Sequence, residues 1–412
     1  MAGDFPTRIS FQQASEIIAL VAAQCLQPEQ QVTHSRALGL VLAQDVAATR
    51  DLPLFDNCAM DGFAVDTASL SGERESSLRL VGEQFAGPGG QLGVGPGECL
   101  RVTTGAMLPV GADAVVMKEQ VRIDGGQVIV PAGLRPGCNI RRAGEDVLTG
   151  ERVLRAGDVM TPVSLSLLAA LGCDRVGVRR RPTVAVFTTG DEIRPPGQVL
   201  APGEIYDSNR VLLQTLLAAD GYEPVTWPAL PDDPARLQAA LSDAASSFDV
   251  VITCGGVSAG EKDFLPNLLA TCGEVHFWKV RMKPGMPVLA GRMDKAQLLC
   301  LPGNPVSVLA TYLTLGRRLL DGLQGRRLPR PVFRARLCTA VARTGERMEF
   351  LRGTMSCNAQ GVLEVSPNPA DGSHRLKAAS DSNVLIVVPE GAGKWPQGSV
   401  MDVLPLDQSG LR

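Results

Sequence analysis

Residues 250–264 read VVITCGGVSAGEKDF. A run of apolar β-formers ends in two glycines, a serine and charged residues, which predicts a strand followed by an irregular turn. The spacing comes within one residue of a phosphate-binding P-loop, where GxxxxG is followed by Lys and then Ser or Thr. Here Gly255 and Gly260 supply GxxxxG, but Glu261 stands at the lysine position, Lys262 comes one residue late and Asp263 replaces the hydroxyl. On this stretch alone three readings stay open: a decayed nucleotide site, a plain turn, or a different anion-binding loop.

Around it, strands and helices alternate. PTVAVFTTGDE reads as a strand ending in polar residues, SNRVLLQTLLAADG as a helix closed by Gly221, and EPVTWPALPDD as a second strand. PARLQAALSDAASS has proline at its first helical position. DFLPNLLATCG reads as a helix, VHFWKV and QLLCLPG as strands, and NPVSVLATYLTLGRRLLDGL as one long closing helix. This alternation predicts a doubly wound parallel α/β module covered on both faces.

The flanking text differs. Residues 10–26 have apolar residues at helical spacing after Ser10, and Thr161–Leu171 reads as a second helix in a connector. Between Asp51 and Gly144, short Val/Leu runs alternate with GPGGQLGVGPGE, TGAMLPVGAD, IDGGQ and PAGLRPG, which predicts a small all-β unit. After Pro329 short strands return, as a second β unit. There is no fixed-period repeat.

Composition narrows the function. The 412 residues exceed one ordinary core and predict several domains. Forty basic against 43 acidic side chains leave no overall positive field for nucleic acid or anionic membrane, and aromatics at 4% leave few bases' worth of stacking surface. Ten cysteines stand singly with no C-x-x-C pair, and three histidines leave little for a zinc site, so a reduced cytoplasmic chain is expected. MAGDFPTRISFQQ lacks the pattern of a secretory signal, and the apolar stretch from Ile17 to Leu26 is too short to span a bilayer.

In an open parallel sheet, ligands bind beyond the carboxyl ends of the strands. Four such ends carry unusual residues: TTGDE with Glu192, PDD with Asp232 and Asp233, TCGGVSAGEKDF with Gly255, Gly256, Ser258 and Asp263, and LPGNP with Pro302, Gly303, Asn304 and Pro305. Each alone reads as a turn or helix cap; four on one rim predict a site. Glycines and a helix start favour an anion, and carboxylates there favour an intervening cation such as Mg²⁺. KVRMKPGMP adds Lys279, Arg281 and Lys283 beside a turn. Together these predict phosphoanhydride or oxyanion chemistry. In the first β unit, LPLFDNCAMDGFAV, RVTTGAMLPVGADAVVMKE and RRAGEDV present Asp61, Thr104 and Asp146; each also reads as a plain hairpin turn.

Taken in order, LPLFDNCAMDGFAV, TTGAMLPVGADAVVMKE, TTGDE, IYDSNR, TCGGVSAGEKDF, KPGMP and LPGNPVS resemble the molybdopterin molybdenumtransferases, the MoeA-type proteins and the E domain of gephyrin. The resemblance runs from about Phe11 to the C-terminus. It implies insertion of molybdate into adenylated molybdopterin with Mg²⁺, releasing molybdenum cofactor and AMP. It implies four subdomains: 1–27 with 179–326 (α/β), 28–50 with 145–178 (connector), 51–144 (small β) and 327–412 (a β-barrel-like unit). It also implies a homodimer whose clefts use both chains. Asp61, Thr104 and Asp146 then come from one chain, and Glu192, Asp232, Asp263, Lys279 and Lys283 from the other. On that reading Lys279, Lys283 and Arg352 hold molybdate or phosphate, and Glu192, Asp232 and Asp263 serve the metal or pterin. Gly255, Gly256 and Ser258 then line the pterin-phosphate pocket, with the LPGNP residues beside them. Molybdopterin adenylyltransferase and molybdoenzyme maturation proteins are the further partners implied.

Two positions depart from the family's usual pattern: Met286 where a second lysine is common, and Cys58 where serine is. The rival readings are molybdopterin adenylyltransferase, which shares the α/β module as competence-damage-type proteins do, and a protein-binding scaffold of the gephyrin kind. The added β units and the MDG segment weigh against the first, and the intact carboxylate and lysine set against the second.

Overall fold

The computed structural model describes residues 5–258, 264–370 and 372–406. Its centre is a seven-stranded sheet. The order from one edge is Thr7–Ile9, Glu274–Val280, Leu289–Met293, Ala296–Leu301, Val250–Cys254, Val184–Thr188 and Val225–Thr226. Val184–Thr188, Val250–Cys254 and Ala296–Leu301 are buried along their whole length. Continuous apolar runs of this kind belong to strands covered on both faces. Alternation sorts their side chains: Val184 and Val186 enter one core, Ala185 and Phe187 the other. The helices Phe11–Gln24 and Ser208–Ala219, with the helical run beginning at Pro305, supply the first core. Pro234–Ser247 and Leu265–Cys272 supply the second.

Three expectations change in detail. The sheet is not wholly parallel, because Leu289–Met293 runs antiparallel to both neighbours. It forms a hairpin with Ala296–Leu301 through Asp294 and Lys295, and Asp294 takes φ +50°, as a tight two-residue turn demands. The second strand shrinks to Val225–Thr226, since Pro228 and Pro231 deny the ladder its donors. The closing helix is α-helical over Pro305–Thr311 and Arg317–Leu323, but passes through a π-turn at Tyr312–Gly316.

The N-terminal segment belongs to this sheet. Thr7 pairs in parallel with Trp278, and Ser10 caps the following helix in a reciprocal box with Gln13. That helix packs against Arg317–Leu323 so closely that a β carbon on Gly322 would lie 2.7 Å from Ala22.

The other units are β-rich. Arg122–Asp124, Gln127–Val130, Ser76–Gln84, Glu98–Val102, Gly62–Val65 and Ala114–Met117 form a six-stranded sheet in that order. Glu29–Thr33, Arg175–Arg179 and Val41–Leu42 pair in a small connector sheet, joined in one core with the helix Pro162–Ala170. Met348–Cys357, Leu363–Pro367, Phe333–Leu337, Val400–Pro405 and Val384–Val388 pair in turn, and the last pairs back to the first, closing a barrel. Closure removes free edges. Met282–Lys283 attaches to the barrel by pairing with Met348 and Glu349.

Candidate active site

The rim predicted from sequence is assembled. A cleft of about 560 Å³ is lined by residues from all four strand ends, among them Thr189, Glu192, Asp232, Ser258 and Asn304. Backbone hydrogen bonds tie the ends together. Gly190 N–H donates to Leu230 O at 3.1 Å, Thr189 N–H to Cys254 O at 2.9 Å and Gly255 N–H to Leu301 O at 3.0 Å.

Gly255 has φ +98°, and a β carbon there would meet Thr189 Oγ1 at 2.6 Å and its carbonyl oxygen at 2.8 Å. Only glycine fits such a position. Its N–H is already committed to Leu301, so Gly255 contributes close approach rather than an anion donor. Gly256 takes φ +68°, and Gly303 lies against Gly255. Pro302 and Pro305 line the same cleft, Pro305 as the first residue of its helix.

Two of the three carboxylates predicted on the rim for metal or pterin, Glu192 and Asp232, line the cleft. Glu192 folds back over Gly190, where a β carbon would clash with its carboxylate at 2.6 Å. Asp232 N–H donates to Asp191 Oδ1 at 3.2 Å. Asp233 is a cap for Pro234–Ser247, accepting from Arg236 N–H, and Asn304 precedes the helix at Pro305. Asp263, with Lys262, lies outside the described residues. Among the described residues no three metal-ligating side chains gather closely enough to hold an ion.

Among the cleft residues that carried no sequence prediction, three polar ones stand out. Asp207, buried, accepts from Thr188 Oγ1 at 2.8 Å and caps Ser208–Ala219, which fixes the rim's first loop. Asn209 Nδ2 donates to Gly303 O at 2.6 Å, which orients its amide and leaves Oδ1 without a partner among the described residues. His374 reaches the cleft from the barrel unit. The signal for the first two was present in IYDSNR; His374 had none.

A second cavity of about 470 Å³ continues the cleft, sharing Ser258, Pro287, Pro302 and Asn304 with it. It lies at the seam with the barrel and is basic: Lys283, Arg343, Arg347 and Arg352 line it, with Glu349 the carboxylate among them. Lys283 Nζ lies 3.6 Å from Glu349 Oε1, and Arg343 Nε 2.5 Å from Oε2. Arg352 is 4% exposed and donates to the carbonyls of Ala370, Gly372 and Arg375, so it orders that loop. Met286 lines this cavity too.

Lys279 does not line either cavity. It has φ +66°, and its ammonium sits 3.9 Å from the centre of the Trp278 ring, whose Nε1–H donates to Val257 O. That is a cation–π contact behind the glycine loop.

In the first β unit, Asp61 accepts from the Thr104 N–H and hydroxyl, each at 2.9 Å, and from Lys118 Nζ at 3.2 Å. The Thr104 backbone and hydroxyl bonds, with Lys118 behind them, hold its carboxyl down at about 2. Lys118 was not singled out in the sequence. Asp146 is exposed, its loop docked by Asp146 N–H to Leu52 O at 3.0 Å. None of these three lines the cleft. Cys58 is fully buried, and burial pushes its thiol up to about 11, which leaves it a neutral packing residue.

Three family models match in order: the MoeA N-terminal region, domains I and II, at residues 9–172; a probable molybdopterin binding domain at 185–322; and the MoeA C-terminal region, domain IV, at 334–406. A molybdopterin molybdenumtransferase of Haemophilus influenzae is 39% identical over 90% of this chain and 92% of its own. The chain belongs to the MoeA family. Molybdopterin molybdenumtransferase 2 of Mycobacterium tuberculosis is 36% identical over 91% of this chain and 94% of its own. The crystal structure of a molybdopterin biosynthesis MoeA protein from Pyrococcus horikoshii superposes with a TM-score of 0.82 at 27% identity, covering 96% of this chain and 99% of that one. The four-part arrangement seen here is therefore the MoeA architecture. Among the described residues no helix is long and apolar enough to cross a membrane.

Proposed function

We propose that this MoeA-family chain is a molybdopterin molybdenumtransferase that inserts molybdate into adenylated molybdopterin and releases molybdenum cofactor and AMP. One observation carries the reading: a glycine-floored cleft with two carboxylates runs directly into a basic cavity. The substrate presents a pterin, a phosphoanhydride and a separate oxyanion. A continuous groove with different chemistry at its two ends suits all three.

The basic cavity receives molybdate. Lys283, Arg343 and Arg347 offer cationic donors there, and Glu349 neutralises part of that charge. The cleft receives the pterin and its phosphates: Gly255 lets the ligand approach the backbone, and the amide of Asn209 is pre-oriented by Gly303. Glu192 and Asp232 supply the hard oxygen donors that Mg²⁺ takes while keeping waters and a phosphate in its shell. When bound, the ion would neutralise charge on the phosphoanhydride as it breaks.

The working form is proposed to be a homodimer in the cytoplasm. Asp61, Thr104 and Lys118 form a prepared polar cluster that lines neither cavity of the groove, and Leu54, Phe55 and Met60, close by in sequence to Asp61, are exposed. A partner's cleft is the natural place for it to act. Incubation with adenylated molybdopterin, molybdate and Mg²⁺ should release AMP and active cofactor together. Mixing two inactive proteins, Asp61→Ala and Lys283→Ala, should restore part of that activity through mixed dimers. Peptide binding without AMP release would favour a scaffold instead.

A further inference from the structure

A third cavity, of about 550 Å³, shares no lining residue with the groove. Three parts of the fold wall it: the connector through Val41 and Val159, the α/β unit through Asp220 and Tyr222, and the barrel through Phe333 and Pro405. Its charged lining is four guanidiniums, of Arg181, Arg317, Arg326 and Arg330, against the carboxylates of Asp220 and Asp321. Both carboxylates are taken. Arg317 Nε and Arg330 Nη1 hold Asp220 at 2.8 and 2.6 Å, and Arg330 Nε and Nη2 hold Asp321 at 2.8 and 3.0 Å. Arg326 Nε donates to Leu328 O at 2.9 Å, and its Nη1 reaches Asp321 only at 3.6 Å, which leaves that end of the guanidinium weakly held. Arg181 has no carboxylate partner among the described residues. Its guanidinium makes one long contact, 3.4 Å to Gly39 O, and lies 6.0 Å over the Tyr222 ring.

Two glycines leave room for Arg181 there. Gly39 and Gly221 both have positive φ, and a β carbon on either would come within 3.2 and 2.7 Å of its Nη2. A partly buried cation held without a counter-ion is costly. Among the described residues four guanidiniums line the cavity against two carboxylates, an excess of positive charge that suits an anion, and a phosphate monoester carries about −1.5 to −2 near neutral pH. Val41, Val159, Pro331 and Phe333 add apolar wall, and the volume falls within the roughly 300–1,000 Å³ usual for small-molecule sites.

We propose that this three-way junction is a second binding site, for a phosphate monoester carrying an apolar or aromatic body, with Arg181 and Arg326 on the phosphate. Such an occupant would tie together three parts of the fold. The proposal does not depend on the transfer reaction.

Calorimetric titration of the full chain with phenyl phosphate tests it, with inorganic phosphate and phenol as separate arms. Phenyl phosphate should bind saturably and more tightly than either. Arg181→Gln and Arg326→Gln, made singly, should each weaken it by about tenfold, the effect of losing a charged hydrogen bond. Lys283→Gln should leave this binding in place, because Lys283 belongs to the groove. Loss with Lys283→Gln and retention in both arginine variants would put the ester in the groove alone and overturn the proposal. Absence of saturable binding to the unsubstituted chain would overturn it as well. Equal binding of phenol, or of inorganic phosphate, would do the same.

Discussion

Lys283 and Glu349 stand opposite each other in the parallel pairing that joins the α/β unit to the barrel, with Nζ 3.6 Å from Oε1. Glu349 is nearly buried, and its other oxygen meets Arg343. The basic cavity is thus held together by a carboxylate from one unit gripping cations on both sides of the seam. Glu349→Ala should leave Lys283 and Arg343 close together and unpaired. The loss should be about 1–3 kcal/mol, discounted because both cations keep some contact with water. Urea unfolding followed by barrel-specific hydrogen exchange checks this.

Asp61 should titrate far below the usual aspartate range. Its folded value is depressed, so its contribution to stability is full above the unfolded value of about 3.9 and fades as pH falls toward about 2. Between pH 5 and 8 it stays ionised, and any inflection in a pH–rate profile there belongs to another group. Carboxyl-labelled NMR should place Asp61 at about 2 and show it rising in Lys118→Met. An unmoved value in that variant would remove Lys118 from the account.

Gly255→Ala should damage the cleft more than its size suggests. The added β carbon meets Thr189 backbone and side chain at once, in a conformation that L-residues rarely adopt. The expected loss is about 1–3 kcal/mol, with AMP release abolished or strongly reduced. Gly361→Ala, also at positive φ but in open space, should lose stability from strain alone and keep activity. Parallel thermal and AMP assays separate the two.

Asp220 sits at the centre of a buried network with Arg317, Arg330 and Tyr312. Burial works to raise its carboxyl, but Arg317 and Arg330 outweigh that and leave it below the usual range. Asp220→Asn should cost about 3–5 kcal/mol by stranding the Arg317 guanidinium, while Arg330 keeps Asp321. Because the carboxyl is depressed when folded, its stabilisation is present above the unfolded aspartate value and lost as pH falls through the folded one. Denaturant midpoints of both proteins at neutral and acidic pH should therefore converge at the acidic end.

The groove's floor was legible because four predicted strands end in glycine, proline or carboxylate turns, in PTVAVFTTG, ALPDD, VVITCGG and LCLPG, and one of them in a glycine pair. Its basic half was only partly legible. Arg343, Arg347 and Glu349 come from the barrel, and no periodicity links them to Lys283. Lys279, named with Lys283 from the KVRMKPG stretch, lines neither cavity; it has φ +66° and its ammonium lies over the Trp278 ring, a placement no sequence pattern announces. Leu289–Met293 hid because Gly291 and Arg292 interrupt its apolar pattern and Asp294-Lys295 is not the usual hairpin dipeptide. The π-turn at Tyr312–Gly316 carries local signals no different from those of an α-helix.

The pairing of Thr7 with Trp278 bears on how the protein is made. Roughly 270 residues separate the two, so the ribosome must deliver most of the chain before the first strand has a neighbour. The small β sheet, spanning Gly62 to Val130, is contiguous and can close early. A nascent chain halted before Trp278 carries a finished β unit behind an amphipathic helix with nothing to cover it. That interval, rather than any step after release, is when a chaperone has a surface to hold.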